Sequence, residues 1–169
     1  MRFSIARLSS AFVLAGVALA QTPAGFVPEV KDRLEIIFGP KVVDSPGASL
    51  AKADTAKQPT LGTRDAPLNG TSYLWMMIGF KPTAQLAANG IYTLTAPASA
   101  APVPYTGPAP PAENPPHAHR YVSLLYETAA DFAVTRAQVG QTFGFDLAVF
   151  VGKVGLGAPV RAGYFNVTG

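Results

Sequence analysis

The chain has 169 residues, of which 14% are charged and 49% are hydrophobic. This is enough for one domain with a real core, too short for two domains with a linker, and unlike a disordered, highly charged chain. Sixteen glycines and sixteen prolines disfavour a helical bundle and favour short strands joined by turns and long loops.

Residues 1–20 have the features of a secretory signal peptide. Two arginines precede an apolar run from Ala11 to Leu19, and alanines stand at the two positions that a signal peptidase reads, Ala18 and Ala20. The run is shorter than the roughly 20 residues that a membrane-spanning helix needs. We therefore expect cleavage after Ala20, a single mature domain over residues 21–169 and no transmembrane anchor.

The mature chain is expected to be secreted or held in the lumen of the secretory pathway. Its formal net charge falls from +3 to +1, because the signal peptide contains two arginines and no acidic residue. No cluster of Lys or Arg remains, so we expect no nucleic-acid partner. The lack of cysteine excludes disulfides and thiol chemistry. Two triplets predict N-glycosylation, at Asn69 and at Asn166.

Several short patterns are typical of β-strands. Leu34–Phe38 and Ile91–Thr95 each predict a strand, and the segment from Asp44 to Gly70 predicts loops around one or two short edge strands. The most apolar stretch, Tyr73–Phe80, predicts a strand that is buried on both faces and ends at Lys81-Pro82. Two further strands are predicted, a central one at Tyr121–Tyr126 and a closing one at Tyr164–Val167.

One helix is predicted near the C-terminus. Asp146 is suited to cap it, because its carboxylate accepts hydrogen bonds from the free amides of the first turn. Apolar residues then recur at helical spacing on one face, and Gly155 provides the stop. These residues are Leu147, Phe150, Val151 and Val154. The sequence thus predicts mostly strands, with a late helix packed on a sheet.

The segment from Ala96 to Pro116 contains eight prolines. Its composition alone would suit a polyproline linker. Strand patterns flank it on both sides, however, and a linker does not divide one small core. We therefore expect an ordered loop over the surface, of the kind that commonly carries function.

Three blocks of sequence match the motifs of a known family. Tyr105–Pro111 reads Y-T-G-P-A-P-P, and His119-Arg120-Tyr121 follows it and enters an apolar strand. Leu156–Phe165, directly after the predicted helix, matches a closing G-x-P-x-A-G-x-F segment with one extra residue. Upstream, three further segments fall in the order of the same family: Leu34–Phe38, Pro46–Leu50 and Gln58–Leu61. The chain thus resembles the phosphatidylethanolamine-binding protein family over nearly its whole mature length, and most closely the exported fungal branch.

The resemblance implies a mainly β fold: a β-sandwich of a large central sheet and a smaller one, with one or two peripheral helices. It also implies a small cavity that accepts phosphate or phospholipid head groups, a small-molecule partner and no cofactor. The ligand-binding residues implied are Tyr105, Gly107, Pro108, His119 and Tyr121. Members of the family bind lipids or anions, act as signalling scaffolds or inhibit proteases, and most are not enzymes.

Two departures from the family pattern concern this cavity. The family's D-P-D-A-P motif is replaced by Ile78–Ala84, which contains neither carboxylate, and the region Gln85–Tyr92 lacks the family's histidine. Gly79 and Phe80 in place of the acids predict a less polar and roomier wall. We therefore expect a lipid-like or otherwise apolar ligand, and weaker binding of phosphate or phosphoethanolamine than in members that keep both carboxylates.

Other functions stay open at the level of sequence. No hydrolase or nucleotide-binding motif occurs, so no catalytic residue is assigned. A remodelled cavity could nevertheless serve a secondary-metabolite pathway by cyclisation or proton transfer, with His119 and Tyr121 as the reacting groups. Protease inhibition is a third alternative, which no sequence feature selects.

The histidines and the arginine near the H-R-Y block have metal or anion binding and simpler structural functions as alternative roles. His117 and His119 alternate as two metal ligands on a strand would, but only Glu113 is near enough in sequence to be a third. We expect no metal site, with His119 lining the cavity and His117 in a solvated loop. Arg120 is expected to form a structural ion pair rather than bind an anion, since adjacent strand residues face opposite sides.

Overall fold

A computed structural model describes residues 20–64, 72–73, 79–87, 89–97 and 101–169. These residues form a mainly β fold, as the resemblance implies, with ten strands in three sheets and two helices. The strands are β1 (Glu35–Phe38), β2 (Lys41–Val42), β3 (Ala48–Ser49), β4 (Thr60–Thr63), β5 (Ser72–Tyr73), β6 (Lys81–Leu86), β7 (Tyr92–Thr95), β8 (Ala118–Leu125), β9 (Glu127–Thr128) and β10 (Arg161–Thr168). The helices are α1 (Arg136–Val139) and α2 (Leu147–Val154).

The largest sheet is antiparallel and has the strand order β2-β1-β4-β7-β6. The predicted strands at Leu34–Phe38 and Ile91–Thr95 are confirmed as β1 and β7. The expectation of only edge strands between Asp44 and Gly70 is wrong for β4, which lies in the middle of this sheet. Its sequence T-L-G-T has no apolar run, but a Cβ on Gly62 would lie 2.4 Å from the side chain of Ile91. Close packing, which composition does not reveal, makes this segment central.

Gly79 and Phe80 lie outside any strand, and a separate strand, β6, which the sequence did not predict, begins at Lys81. Among the described strands β6 pairs only with β7, at the end of the sheet order. Proline lacks an amide hydrogen and is tolerated in such a position, where one side of the strand needs no donor. Pro82 therefore lies in a strand at the end of the described sheet order.

The second sheet has the order β3-β10-β8. β10 runs antiparallel to β8 over eight residue pairs, from Arg161 opposite Leu125 to Thr168 opposite Ala118, and parallel to β3. The predicted strands at Tyr121–Tyr126 and Tyr164–Val167 are confirmed as β8 and β10, which are both longer than predicted, although β8 ends at Leu125. The central position expected for the first of them is wrong, because β8 is at the end of the described sheet order. In the described order the closing strand β10 is the central one, and β8 lies beside it.

The apolar stretch Tyr73–Phe80 is described only in part. Ser72–Tyr73 forms β5 and pairs with β9, while residues 74–78 lie outside the described residues. Phe80 is 1% exposed and packs in the core.

The two larger sheets pack face to face around one hydrophobic core. Alternate residues of β8 and β10 point into it, and the rings of Phe38 and Phe165 meet edge to face with centroids 5.2 Å apart. The core side chains come from both sheets and include Ile36, Leu61, Leu94, Leu125 and Val167. Burying each of them fully contributes about 1.5–3 kcal/mol, which holds the fold together without disulfides.

The opposite face of the smaller sheet is covered by helix α2, which matches its prediction residue for residue. Asp146 Oδ1 accepts a hydrogen bond from the amide of Val149 at 3.0 Å, and Gly155 ends the helix at φ 72° in the left-handed region. Phe150 is buried against Leu124 and Ala162 of the sheet. Helix α1, which was not predicted, packs Val139 into the same cluster.

Candidate functional site

The proline-rich loop is fixed to the turn around Thr55 by Tyr105 and Gly107, the first and third residues of its Y-T-G-P motif. The Tyr105 hydroxyl donates a hydrogen bond to the Thr55 carbonyl at 2.7 Å. A Cβ on Gly107 would lie 2.8 Å from that same carbonyl oxygen and 3.1 Å from Ala56 Cα. The Y-x-G part of the motif therefore anchors the loop over its described residues 101–116, which agree with the surface loop expected from sequence.

A cavity of about 350 Å³ lies between this loop and β8. Three of the five predicted ligand-binding residues line it, namely Tyr105, Pro108 and Tyr121, whereas Gly107 and His119 do not. The other lining residues are Val103, Pro104, Thr106, Val122, Ser123, Thr142 and Phe165. The cavity is in the size range of small-molecule sites, and the loop and the β8 face together shape it.

The chemistry of this cavity follows from its lining. Tyr121 stacks on Phe165 with ring centroids 5.7 Å apart, so one wall is aromatic. Hydroxyl groups of threonine, serine and tyrosine are the polar groups, and none of the described lining residues carries a charge at neutral pH. Burial raises the pKa of the Tyr105 phenol, which keeps that group neutral. Such a lining favours an uncharged ligand with one or a few oxygen atoms.

His119 belongs to a separate polar cluster at the start of β8, which we call the 113/117/119 cluster. His117 Nδ1 lies 2.6 Å and His119 Nε2 lies 3.0 Å from the same oxygen, Glu113 Oε2. The two imidazole rings stack with centroids 4.8 Å apart and planes 18° apart. His117 is exposed, as expected, but it is not simply solvated, because it forms this pair.

The strand geometry relates this cluster to the cavity. His119 and Tyr121 are two residues apart on β8 and therefore face the same side of the sheet. Arg120 faces the opposite side and is exposed. The structural ion pair expected for Arg120 is not found with any residue that the structure describes.

The walls of a second cavity, of about 250 Å³, lie on the helix side of β8 and are apolar apart from one hydroxyl group. Tyr126 lines it and is 3% exposed, and its buried hydroxyl has no hydrogen-bond partner among the residues that the structure describes. Burial raises the pKa of this phenol. The sequence offers no signal for this arrangement, since Tyr126 stands in a strand pattern like any buried aromatic residue.

The larger sheet also contains a buried ion cluster that the sequence did not predict. The carboxylate of Glu35 is 2% exposed and lies 3.1 Å from Arg33 Nη2 and 2.7 Å from Arg64 Nε. Arg33 Nη2 also donates a hydrogen bond to the Val43 carbonyl. Both arginines are permanently charged, so the carboxylate is neutralised within the fold.

Comparisons with known proteins identify the family of this chain. A profile described as "Phosphatidylethanolamine-binding protein" matches residues 42–162. The chain belongs to the phosphatidylethanolamine-binding protein family. A relative from Talaromyces stipitatus, "Phomoidride biosynthesis cluster protein N", is 27% identical over 92% of this chain and 93% of its own length.

A solved structure shares the fold of this family member. It is described as "Crystal structure of carboxypeptidase Y inhibitor complexed with the cognate proteinase". It covers 82% of this chain and 84% of its own, with a TM-score of 0.55 and 14% sequence identity. At that identity the likeness is one of fold.

The expectation that Gly79 and Phe80 form a less polar wall of the cavity is wrong, because neither residue lines the cavity beside Tyr121. Phe80 is in the core, and Gly79 at φ 89° and Lys81 line a different, small cleft with Pro97. The uncharged lining near Tyr121 is therefore set by the residues of the proline-rich loop and β8.

The two predicted glycosylation sites differ in what the structure describes. Asn69 lies outside the described residues. Asn166 lies in the central strand β10, and its Nδ2, the atom to which a glycan would be attached, donates a hydrogen bond to the Gly47 carbonyl at 2.7 Å. Use of either site stays a prediction.

The predicted signal peptide lies mostly in residues 1–19, which the structure does not describe. Among the helices of the described residues, none has the length and apolar character needed to cross a membrane.

Proposed function

We propose that this protein binds a small, uncharged and largely apolar molecule in the cavity beside Tyr121. The observation that carries this proposal is the lining: an aromatic and aliphatic wall, a few hydroxyl groups and no charged side chain among the described lining residues. A phosphate group would have to leave water without an opposite charge to replace its hydration, which is costly. An apolar ligand meets no such cost.

Simple energetics agree with this choice of ligand. Micromolar affinity requires about 8 kcal/mol. Two hydrogen bonds to cavity hydroxyl groups contribute about 1 kcal/mol each. At about 25 cal/mol per Å² of buried apolar area, most of the remainder has to come from the aromatic and aliphatic walls. The size of the apolar surface of the ligand therefore decides the affinity.

We further propose that the chain acts outside the cytosol, after cleavage of residues 1–20. The proposal rests on the charged start, apolar run and small residues of the N-terminal sequence. Expression in a secreting fungal host, with N-terminal sequencing of the product, tests it. A product that starts at Gln21 supports the proposal, and retention of Met1 in the cytosol contradicts it.

The ligand proposal is tested with a charged probe and with the protein's own cargo. Calorimetric titration with phosphoethanolamine is expected to show no binding below millimolar concentration. Native mass spectrometry of protein from a secreting host is expected to show a co-purifying small molecule without phosphorus. Tight phosphoethanolamine binding that is lost in His119→Ala would contradict the proposal, because it would show a working anion site.

A second candidate function is an accessory or catalytic role in the biosynthesis of a secondary metabolite. The relative from a phomoidride biosynthesis cluster supports it, as does the pairing of His119 with Glu113 on the cavity side of β8. His119 does not line the cavity, so this role requires a ligand that extends from Tyr121 along the same side of β8 to residue 119. Glu113 would then hold the Nε2–H of His119, and Nδ1 would accept a proton from a carbon acid while a hydroxyl such as that of Tyr121 donates to the developing oxyanion.

Isotope exchange separates the two candidates. A bound metabolite with an acidic C–H bond is expected to exchange it for deuterium in D₂O if the protein transfers protons, and His119→Ala should abolish the catalysed exchange. Binding without any accelerated exchange would leave the protein a binder only. The cavity proposal does not depend on that result.

A further inference from the structure

We propose that Glu113, His117 and His119 form a binding site for a divalent transition-metal ion, with Zn²⁺ as the reference ion. The site consists of two imidazole nitrogens and one carboxylate oxygen, and these three candidate donor atoms lie within 4.8 Å of one another. The metal proposal rests on the 113/117/119 cluster alone and does not require the ligand proposed for the cavity.

The chain brings these three groups together for reasons visible in the fold. His117 directly precedes β8 and His119 is its second residue, so strand alternation puts both side chains on one side. The stacked rings confirm that the two imidazoles run side by side. Glu113 belongs to the loop that Tyr105 and Gly107 anchor, and its Oε2 contacts both imidazoles.

The spacing of the donors is close to what a metal ion needs. Metal–donor distances of about 2.1 Å in a tetrahedral site place donors about 3.4 Å apart. The two contacts of Glu113 Oε2, at 2.6 and 3.0 Å, must open slightly around an ion, and a donor pair at the full 4.8 Å must close by about 1.4 Å. The side chain of His117 is 64% exposed and is able to make that adjustment.

The chemistry of the donor set also selects the ion. In the metal-free protein both imidazoles present an N–H to one carboxylate oxygen. Binding requires each of these nitrogens to present its lone pair, with the proton moved to the other ring nitrogen or released to solvent. Imidazole and carboxylate donors together suit Zn²⁺ and Cu²⁺, whereas Mg²⁺ and Ca²⁺ prefer oxygen donors only. Three protein ligands leave at least one coordination position for water or for an oxygen atom of a small molecule.

Titration calorimetry with ZnCl₂ is the direct experiment, and the chain suits it well. His117 and His119 are its only histidines and it has no cysteine, so no other imidazole or thiol competes for the ion. The protein must carry no histidine tag and must first be treated with a chelator. We expect one Zn²⁺ per chain, with affinity that falls as the pH is lowered, because protons compete for the imidazole nitrogens.

Three variants and one control complete the test. His117→Ala, His119→Ala and Glu113→Gln should each weaken Zn²⁺ binding by at least roughly tenfold, since even the loss of an outer-shell partner has that effect in known sites. Asp131→Asn removes an exposed carboxylate elsewhere and should change nothing. Circular dichroism of each variant checks that it is folded.

Two results would overturn the proposal. The first is the absence of Zn²⁺ binding at neutral pH by the unaltered, folded chain, which would leave the cluster a hydrogen-bonded ion pair only. The second is binding that His117→Ala and Asp131→Asn affect equally. Because the titration contains no organic ligand, neither result would bear on the cavity.

Discussion

Two carboxylates of this protein each lie between two basic side chains, and burial makes them different. Glu35 is 2% exposed and contacts two arginines, whereas Glu113 is 29% exposed and contacts two histidines. Guanidinium groups stay charged at any physiological pH and have no lone pair for a metal ion. The first cluster is therefore suited only to hold the sheet together, while the second keeps proton and metal chemistry within reach of solvent.

The surroundings of the two clusters support the same distinction. Glu35 lies in β1, which has four buried residues and pairs on both sides. Glu113 lies in a loop and contacts His117, just before β8, and His119, the second residue of β8. A group that must exchange protons or ligands needs an open path, and of these two clusters only the 113/117/119 cluster has one.

The largest expected effect comes from removing both cations from Glu35. Arg33→Met with Arg64→Met leaves a buried carboxylate without an opposite charge, which should lower the free energy of unfolding by about 3–5 kcal/mol. Urea unfolding at neutral pH measures it. Adding Glu35→Met should recover most of the loss, because the whole ion cluster is then replaced by apolar groups. Equal stability of the double variant and the unaltered protein would show that Glu35 is not held by these arginines.

The next effect concerns the anchor of the loop that carries Glu113. In Gly107→Ala the new methyl group would lie 2.8 Å from the Thr55 carbonyl oxygen, so the loop has to shift, at a cost of about 1–3 kcal/mol. Zn²⁺ affinity should fall with it. Gly157→Ala is the matched control, because a Cβ there meets nothing within 4 Å. If both substitutions cost the same, the anchor does not exist as described.

Removing a hydroxyl group should have opposite effects at two tyrosines. Tyr105→Phe loses the hydrogen bond to Thr55 and should destabilise the protein by about 1 kcal/mol. Tyr126→Phe removes a buried hydroxyl that has no partner in the described part of the chain, and it should stabilise the protein by about 1 kcal/mol. Urea unfolding of the two variants side by side measures the difference, and a loss of stability in Tyr126→Phe would reveal a partner for that hydroxyl.

The same tyrosines predict a loss of stability in alkali. Burial raises the pKa of both phenols in the folded state, so the unfolded chain ionises first, near pH 10. The contribution of the two neutral phenols to the free energy of unfolding is fully present below that pH, and it is lost as the pH rises through the folded-state pKa. Unfolding followed from pH 8 to 11 should therefore be less pH-dependent in Tyr126→Phe than in the unaltered protein.

The smallest effect is expected at the open cluster. Glu113→Gln breaks two contacts with half-exposed or exposed histidines, and such pairs contribute about 0–1 kcal/mol. The variant should therefore unfold within about 1 kcal/mol of the unaltered protein while losing Zn²⁺ binding. A loss as large as that of the arginine double variant would remove the distinction between the two clusters.

The sequence predicts those parts of the molecule that depend on local pattern. Helix α2 is predicted to the residue, because the cap at Asp146, the apolar face and the stop at Gly155 are all local. The sequence predicts an edge strand where β4 is central, because the central position of β4 depends on the close approach of β7 at Gly62, which is not a local pattern. The resemblance implied ligand contacts for Tyr105, Pro108 and Tyr121, and these three residues do line one cavity. It did not indicate that His119 contacts Glu113 and does not line that cavity.

The central claim, an uncharged ligand beside Tyr121, is tested most directly by blocking the cavity from its rim. Thr142 is exposed and lines the cavity, whereas its neighbour Gln141 is exposed and does not. In a fluorescence titration with the uncharged probe N-phenylnaphthylamine, Thr142→Phe should weaken binding at least tenfold, whereas Gln141→Phe should leave it unchanged. Phosphoethanolamine should not displace the probe. Equal binding by both variants, or displacement by phosphoethanolamine, would contradict the account.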